Sequence, residues 1–344
     1  MSFSVFCATV RATFFAGFFI ACVAPAQAAQ WPRSDIPPDP AVTFGVLPNG
    51  MRYAIMHNST PTGEVSVRFR IGAGSMQESA TQRGLAHFLE HMAFRGSTHV
   101  ADGEIDKSLE RLGLSFGSDT NASTEQDQTV YQFDLPKSDD QTVDTVLGYT
   151  REIASNLTLD PAAAKTEAGV VLSELKLRDK PSFRALQSQL DFMLQDPHAT
   201  ALANGDPAII AQAPTTLIRD YYQAYYRPER ATLIIVGDID PARMEAKIKE
   251  RFADWKGTGA AGGDPLLSIA QSRGLEAKLF TEPGASSRIL LAWVRPPEPK
   301  PDDKAQEKSN LIDVVGLQIL NRRLRESAAS AARPFTKAGA SQDQ

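Results

Sequence analysis

Gly84-Leu85-Ala86-His87-Phe88-Leu89-Glu90-His91-Met92-Ala93-Phe94-Arg95-Gly96 holds two of the five histidines of a 344-residue chain. They stand four residues apart, with a carboxylate directly before the second. On an α-helix a four-residue step returns to nearly the same azimuth, about 6 Å further along the axis. His87 and His91 are therefore expected on one face, able to grip a single ion, and Glu90 leans to the same side, where it can take a proton from water. Leu85, Phe88, Leu89 and Met92 fill the remaining faces, so the helix reads as buried nearly all round. Two histidines and a glutamate inside such a helix are costly unless something satisfies them.

H-x-x-E-H is the inverted order of the zinc metallopeptidase helix motif. Average residue usage yields the bare pattern by chance in about one chain per hundred of this length. The bland alternative is a helix whose histidines are packed or solvated, and the buried context argues against it. Catalytic zinc takes three protein ligands and leaves a position for water. Both cysteines, Cys7 and Cys22, lie in the first 30 residues, so the third ligand is expected to be a carboxylate from another helix. Glu167 and Glu174 lie seven residues apart on one predicted helix, hence on one stripe but about 10 Å apart along the axis. One would be the ligand and the other an assisting carboxylate; spacing does not choose between them, and a solvated helix face is the competing reading. His57, His99 and His198 stand alone in turn-like settings, where capping or solvation is the expected role.

Hydrophobic content of 42% and charged content of 22% are those of an ordinary globular chain, long enough for about two domains. A net charge of -5 without a basic patch gives no footing for nucleic acid. Arg11, the apolar run Ala12 to Ala24, and the small-x-small pattern of Pro25-Ala26-Gln27-Ala28 predict a signal peptide over residues 1–28 and export. A retained membrane anchor, or lipid attachment at Cys22, is the alternative. No later segment is long and apolar enough to span a bilayer.

Residues 29–42 read as a proline-rich, extended lead-in. A hairpin is expected from Val42–Leu47 and Met51–Met56 around Asn49-Gly50, then a half-buried strand at Val65–Ile71. The metal helix follows, then a helix from Gly103 to Leu112. Ser115–Thr124 is polar and precedes the strong strand Thr129–Leu135. Composition leaves it open between a sheet-edge strand, free to pair with an incoming peptide, and a plain surface loop. Helices are expected at 140–156, from Asp160-Pro161 to about Arg178, at 182–203, at 215–226 and from Asp240-Pro241 to about Trp255, with a buried strand at Ala231–Gly237. This order predicts an α+β fold, a mixed, largely antiparallel sheet layered with helices, over residues 43–256. A glycine-rich linker (257–272) leads to a second, truncated domain of the same kind (273–330), with strands at Ala277–Phe280 and Ser287–Val294, a helix from Ser309 to about Glu326, and a frayed tail (331–344).

From Thr43 to Glu326 the chain resembles the pitrilysin family, which includes insulysin-like enzymes and mitochondrial processing peptidases. The resemblance rests on His87-Phe88-Leu89-Glu90-His91 with Met92-Ala93-Phe94-Arg95-Gly96-Ser97, on Asn121-Ala122-Ser123-Thr124, and on Glu167-Ala168-Gly169-Val170-Val171-Leu172-Ser173-Glu174-Leu175. Tyr226-Arg227-Pro228 and Val236-Gly237-Asp238 also fit. It implies a zinc endopeptidase acting on peptides or small unfolded polypeptides in the periplasm. One Zn2+ would be held by His87, His91 and Glu174, with Glu90 as catalytic base, Glu167 assisting, and Asn121 and Ala122 pairing with substrate. Ala168 departs mildly from the family's usual basic residue. Family members close a chamber from two halves, and this chain ends inside what resembles the second domain of the first half. A second half or partner chain is therefore expected to complete the chamber, and a zinc-bearing subunit inactive without it is the alternative.

Overall fold

The computed structural model describes residues 31, 34–203, 205–267, 274–295, 302–330, 332 and 335–342. The segment expected to be a signal peptide, residues 1–28, lies outside the described residues. β1 (Val42–Val46) and β2 (Arg52–His57) form the expected antiparallel hairpin. Its turn is set by Gly50 at φ 92° and by Asn49, whose side-chain oxygen accepts from the Met51 amide. β3 (Val65–Ile71) buries Val65, Val67, Phe69 and Ile71 on one face, as strict alternation requires. α1 (Leu85–Met92) carries the H-x-x-E-H motif, and α2 (Glu104–Arg111) follows with Ile105 and Leu109 buried.

β4 (Thr120–Thr124) and β5 (Thr129–Leu135) form a second antiparallel hairpin. α3 (Asp140–Ser155) and α4 (Pro161–Arg178) are each capped by an aspartate side chain, Asp139 and Asp160, that accepts backbone amides of the first turn. α5 (Pro181–Leu194), the short α6 (Pro207–Gln212) and α7 (Thr215–Tyr225) lead to β6 (Ala231–Gly237) and α8 (Pro241–Phe252). The strands form one sheet in the order β1-β2-β6-β3-β5-β4. β6 runs parallel to β2 and antiparallel to β3, and the remaining pairings are antiparallel, so the mixed, largely antiparallel α+β expectation holds. β6 is central, which is why it is apolar along its length. β4 lies at the edge, which resolves the choice between edge strand and loop for its five residues. The buried core draws on residues from Leu47 to Trp255.

Three expectations change. The helix expected over 182–203 stops at Leu194: Gln195 adopts a left-handed conformation, and Asp196, preceding Pro197, instead accepts the amides of His198 and Ala199. Asp206 then caps the short α6, its side chain accepting the Ala208 amide. The strands expected at Ala277–Phe280 and Ser287–Val294 are not formed. A strand needs a neighbour for its backbone groups, and neither segment pairs with another among the described residues. Leu279, Ile289, Leu291 and Trp293 are consequently exposed. The last expected helix is longer than its sequence signal: α9 (Lys304–Ala329) starts at an Asp303 cap and has no buried residue.

Candidate metal centre

Seven of the eight α1 residues are buried; only His91 is partly open. α1 packs against α4 and α7 and against the edge strand β4. This placement brings the motif to Glu174 on α4. His87 Nε2 is 3.6 Å and His91 Nε2 3.3 Å from the same Glu174 oxygen, Oε2. The two imidazole rings stand perpendicular, 4.8 Å between centroids. One donor atom from each of His87, His91 and Glu174 lies within 4.8 Å of the other two, the only such group of three or more among the described residues.

The donor set fits zinc. Bonds of about 2.0–2.2 Å in tetrahedral arrangement put neighbouring nitrogen and oxygen donors some 3.3–3.6 Å apart, as the two imidazole–carboxylate separations are here. A shared cation would account for two imidazoles, one buried and one partly open, that meet one carboxylate oxygen. Burial and the adjacent His91 hold the His87 imidazole well below its ordinary pKa, so it stands neutral, the form that binds a cation. For His91 burial pulls the same way, but the bond to Glu167 and the charges of Glu90, Glu167 and Glu174 outweigh it and raise its pKa.

Glu167 sits two turns before Glu174 on the same stripe of α4, as the seven-residue spacing requires. Its Oε1 is 2.8 Å from His91 Nδ1 and its Oε2 accepts from Arg95 Nη1 at 3.0 Å. Arg95 in turn pairs with Asp102. A carboxylate on the far nitrogen of an imidazole fixes ring orientation and directs the other nitrogen outward. Glu174 Oε1 is held by Arg178, one turn further along α4. Glu90 is 8% exposed, and Thr124 Oγ1 of β4 donates to its Oε2 at 2.6 Å. Burial raises the Glu90 carboxyl, and the Thr124 bond only partly opposes this. Asn121 and Ala122 lie on the same edge strand, where the Ala122 amide donates to the Asn121 side-chain oxygen at 2.9 Å.

The three isolated histidines are occupied elsewhere. His57 and His198 meet the backbone oxygens of Ile239 and Met76 through Nδ1, and His99 pairs with Glu152. Sequence reasoning passed over Thr124, Arg95 and Arg178. Arg178 had a signal, the i,i+4 step from Glu174; Arg95 and Thr124 had none beyond lying in segments already singled out.

Residues 53–196 match the family model for insulinase, peptidase family M16, and residues 216–333 match the model for the M16 inactive domain. The chain belongs to the M16 peptidase family. Among M16 relatives it is 34% identical over 229 residues to a probable zinc protease, PqqL, of Haemophilus influenzae, covering 64% of this chain and 24% of that protein. It is 28% identical over 299 residues to the probable zinc protease PqqL of Escherichia coli, covering 86% and 32%. Among solved structures, the first half of the periplasmic protease PqqL from E. coli superposes with a TM-score of 0.65 at 30% identity, covering 69% of this chain and 51% of that one. The chain thus spans about a quarter to a third of the length of these curated relatives.

Proposed function

We propose that this chain is the zinc-bearing part of an exported endopeptidase that hydrolyses peptides or small unfolded polypeptides. The observation that carries the reading is the convergence of His87 Nε2, His91 Nε2 and Glu174 Oε2 beside a buried, otherwise unexplained Glu90. His87, His91 and Glu174 would hold zinc. Bound there, the ion supplies Lewis acidity at a scissile carbonyl and makes water nucleophilic near neutral pH.

The rest is done by the chain itself. Glu90 accepts the proton of the attacking water and returns it to the departing amine. Thr124 holds Oε2 of Glu90, and the carboxylate's remaining acceptor capacity is left for the water. The carboxyl raised by burial brings this base nearer to the working pH, where proton transfer in both directions is efficient. Glu167 holds His91 in place through Nδ1. An extended peptide adds to the open edge of β4, with Asn121 and Ala122 as its contacts, so that the bond to be cut lies next to α1. A purely structural zinc site has no use for a free base, which favours catalysis over an inert metal subunit.

The exposed apolar residues of α9 and of segment 274–295 support a dependence on a second half or partner chain to close the substrate chamber. The predicted export signal and the periplasmic location stated for E. coli PqqL support a periplasmic site of action. Glu90→Gln tests the chemistry: the variant should bind zinc with wild-type stoichiometry and lose peptide cleavage. Cleavage of a quenched peptide library at the wild-type rate by that variant refutes the base. Turnover by the chain alone, compared with turnover after adding the complementary half of a PqqL-type protein, separates a self-sufficient enzyme from a dependent subunit.

A further inference from the structure

Glu78 is a carboxylate that the mechanism above does not use, and it is fully buried. Its Oε2 accepts from the Gly84 amide at 2.9 Å and its Oε1 from the Ala86 amide at 2.7 Å. Both amides belong to the start of α1. The residue preceding that helix, Gly84, is in the left-handed conformation at φ 96° and has no side chain with which to cap. The orphan amides of the first turn are therefore taken by a residue outside the helix, six positions before Gly84. Burial pushes the Glu78 carboxyl up to about 7, while the two amide bonds at this positive end of the helix favour its ionised form. Glu78 itself is fixed, since the 3-10 turn Ser75–Gln77 that precedes it is anchored by Ser75 and Met76 amides on the Glu125 and Gln126 carbonyls and by Tyr221 on the Gly74 carbonyl.

The two metal-binding imidazoles are held differently. His91 has Glu167 on its Nδ1. His87 Nδ1 is buried and meets no hydrogen-bonding group among the described residues. The ring of His87 thus lacks the usual orienting partner, and its placement depends on the backbone, whose preceding amide, that of Ala86, is clamped by Glu78. We infer that Glu78 is a positioning residue for His87, setting the start of α1 so that the two imidazoles meet Glu174 at one point. The inference rests on the metal site proposed above.

Glu78→Gln keeps the size of the side chain but turns an NH2 group toward one of the two amides, so one clamp is lost. The full chain carrying this change should bind zinc about tenfold more weakly or worse, the range found when an orienting partner of a metal site is removed. Affinity is read by competition with a chromophoric chelator, well below the melting transition of the apo protein. Glu152→Gln is the control. Glu152 is another buried carboxylate, bonded to Ser97, His99 and Asn156 away from α1, and its loss should lower the melting temperature without changing zinc affinity. Glu78→Asp retains the charge with a shorter reach and should fall between wild type and Glu78→Gln; it decides the matter if the glutamine variant does not fold. Wild-type zinc affinity in folded Glu78→Gln, or in Glu78→Asp where only that variant folds, reduces Glu78 to a structural cap and overturns the inference. A wild-type chain that binds no zinc overturns the metal-site reading instead, a separate result.

Discussion

Replacing Glu167 by glutamine isolates the contribution of the carboxylate that orients His91. Glu167 is 6% exposed and serves two donors at once, His91 Nδ1 at 2.8 Å and Arg95 Nη1 at 3.0 Å. Glutamine retains one acceptor oxygen, so it satisfies one donor and presents an NH2 group to the other. Arg95, the permanently charged donor, is expected to claim that oxygen, which turns the NH2 group toward His91 Nδ1, an atom with no second partner among the described contacts. A hydrogen bond to a charged group contributes about 1.5–3 kcal/mol, which at 1.4 kcal/mol per decade corresponds to roughly 10–150-fold in affinity. Orienting carboxylates in zinc sites fall within that range.

The pH dependence sharpens the test. Glu167 helps raise the His91 pKa, so in the wild type a proton competes with zinc for His91 up to a higher pH. Glu167→Gln lowers that pKa and removes part of the competition. The affinity deficit should therefore be largest on the alkaline side and shrink as the pH falls. The assay is zinc competition against a chromophoric chelator at a series of pH values. Equal zinc affinity of variant and wild type under alkaline conditions refutes the orienting role, and a deficit that grows on acidification refutes the electrostatic reasoning.

Thr124→Val removes the hydroxyl that donates to Glu90 Oε2. The bond favours the ionised carboxylate, so its loss raises the Glu90 pKa further. The acid limb of the pH profile of kcat/KM should then move to higher pH, and an unmoved limb rules Glu90 out as the group that titrates. Phe69→Ala empties the middle of the core, where the ring is fully buried against Tyr131, Phe252 and Trp255. A loss of about 3–5 kcal/mol is expected, read as a lower midpoint of chemical unfolding; a midpoint within error of wild type means the core does not pack as described.

Much of this molecule was legible before any coordinates. Strands with one buried face declare themselves by alternation, as Val65–Ile71 does, and Asp-Pro pairs at Asp160 and Asp240 mark helix starts because the carboxylate caps and proline needs no amide partner. Where the reading failed, the deciding term was non-local. Segments 277–280 and 287–294 have strand-like sequences, but a strand exists only with a neighbour, and no periodicity reports whether one is there. The same holds at the metal centre. The spacing of His87 and His91 suffices for two donors, because helix geometry alone aligns them. Glu167 and Glu174 share a stripe, and only the packing of α4 on α1 places Glu174 at the imidazole Nε2 atoms and Glu167 behind His91. Thr124, Arg95 and Glu78 act through tertiary contacts with no sequence periodicity at all.

Zinc binding by the wild-type chain and by Glu174→Ala, measured side by side by elemental analysis and chelator competition, tests the central claim most directly. The wild type should hold one zinc per chain, and the alanine variant, folded by circular dichroism, should lose it at the same free zinc concentration. A variant that retains a full equivalent with unchanged affinity would contradict the assignment of Glu174 and with it the converging site on which the peptidase reading stands.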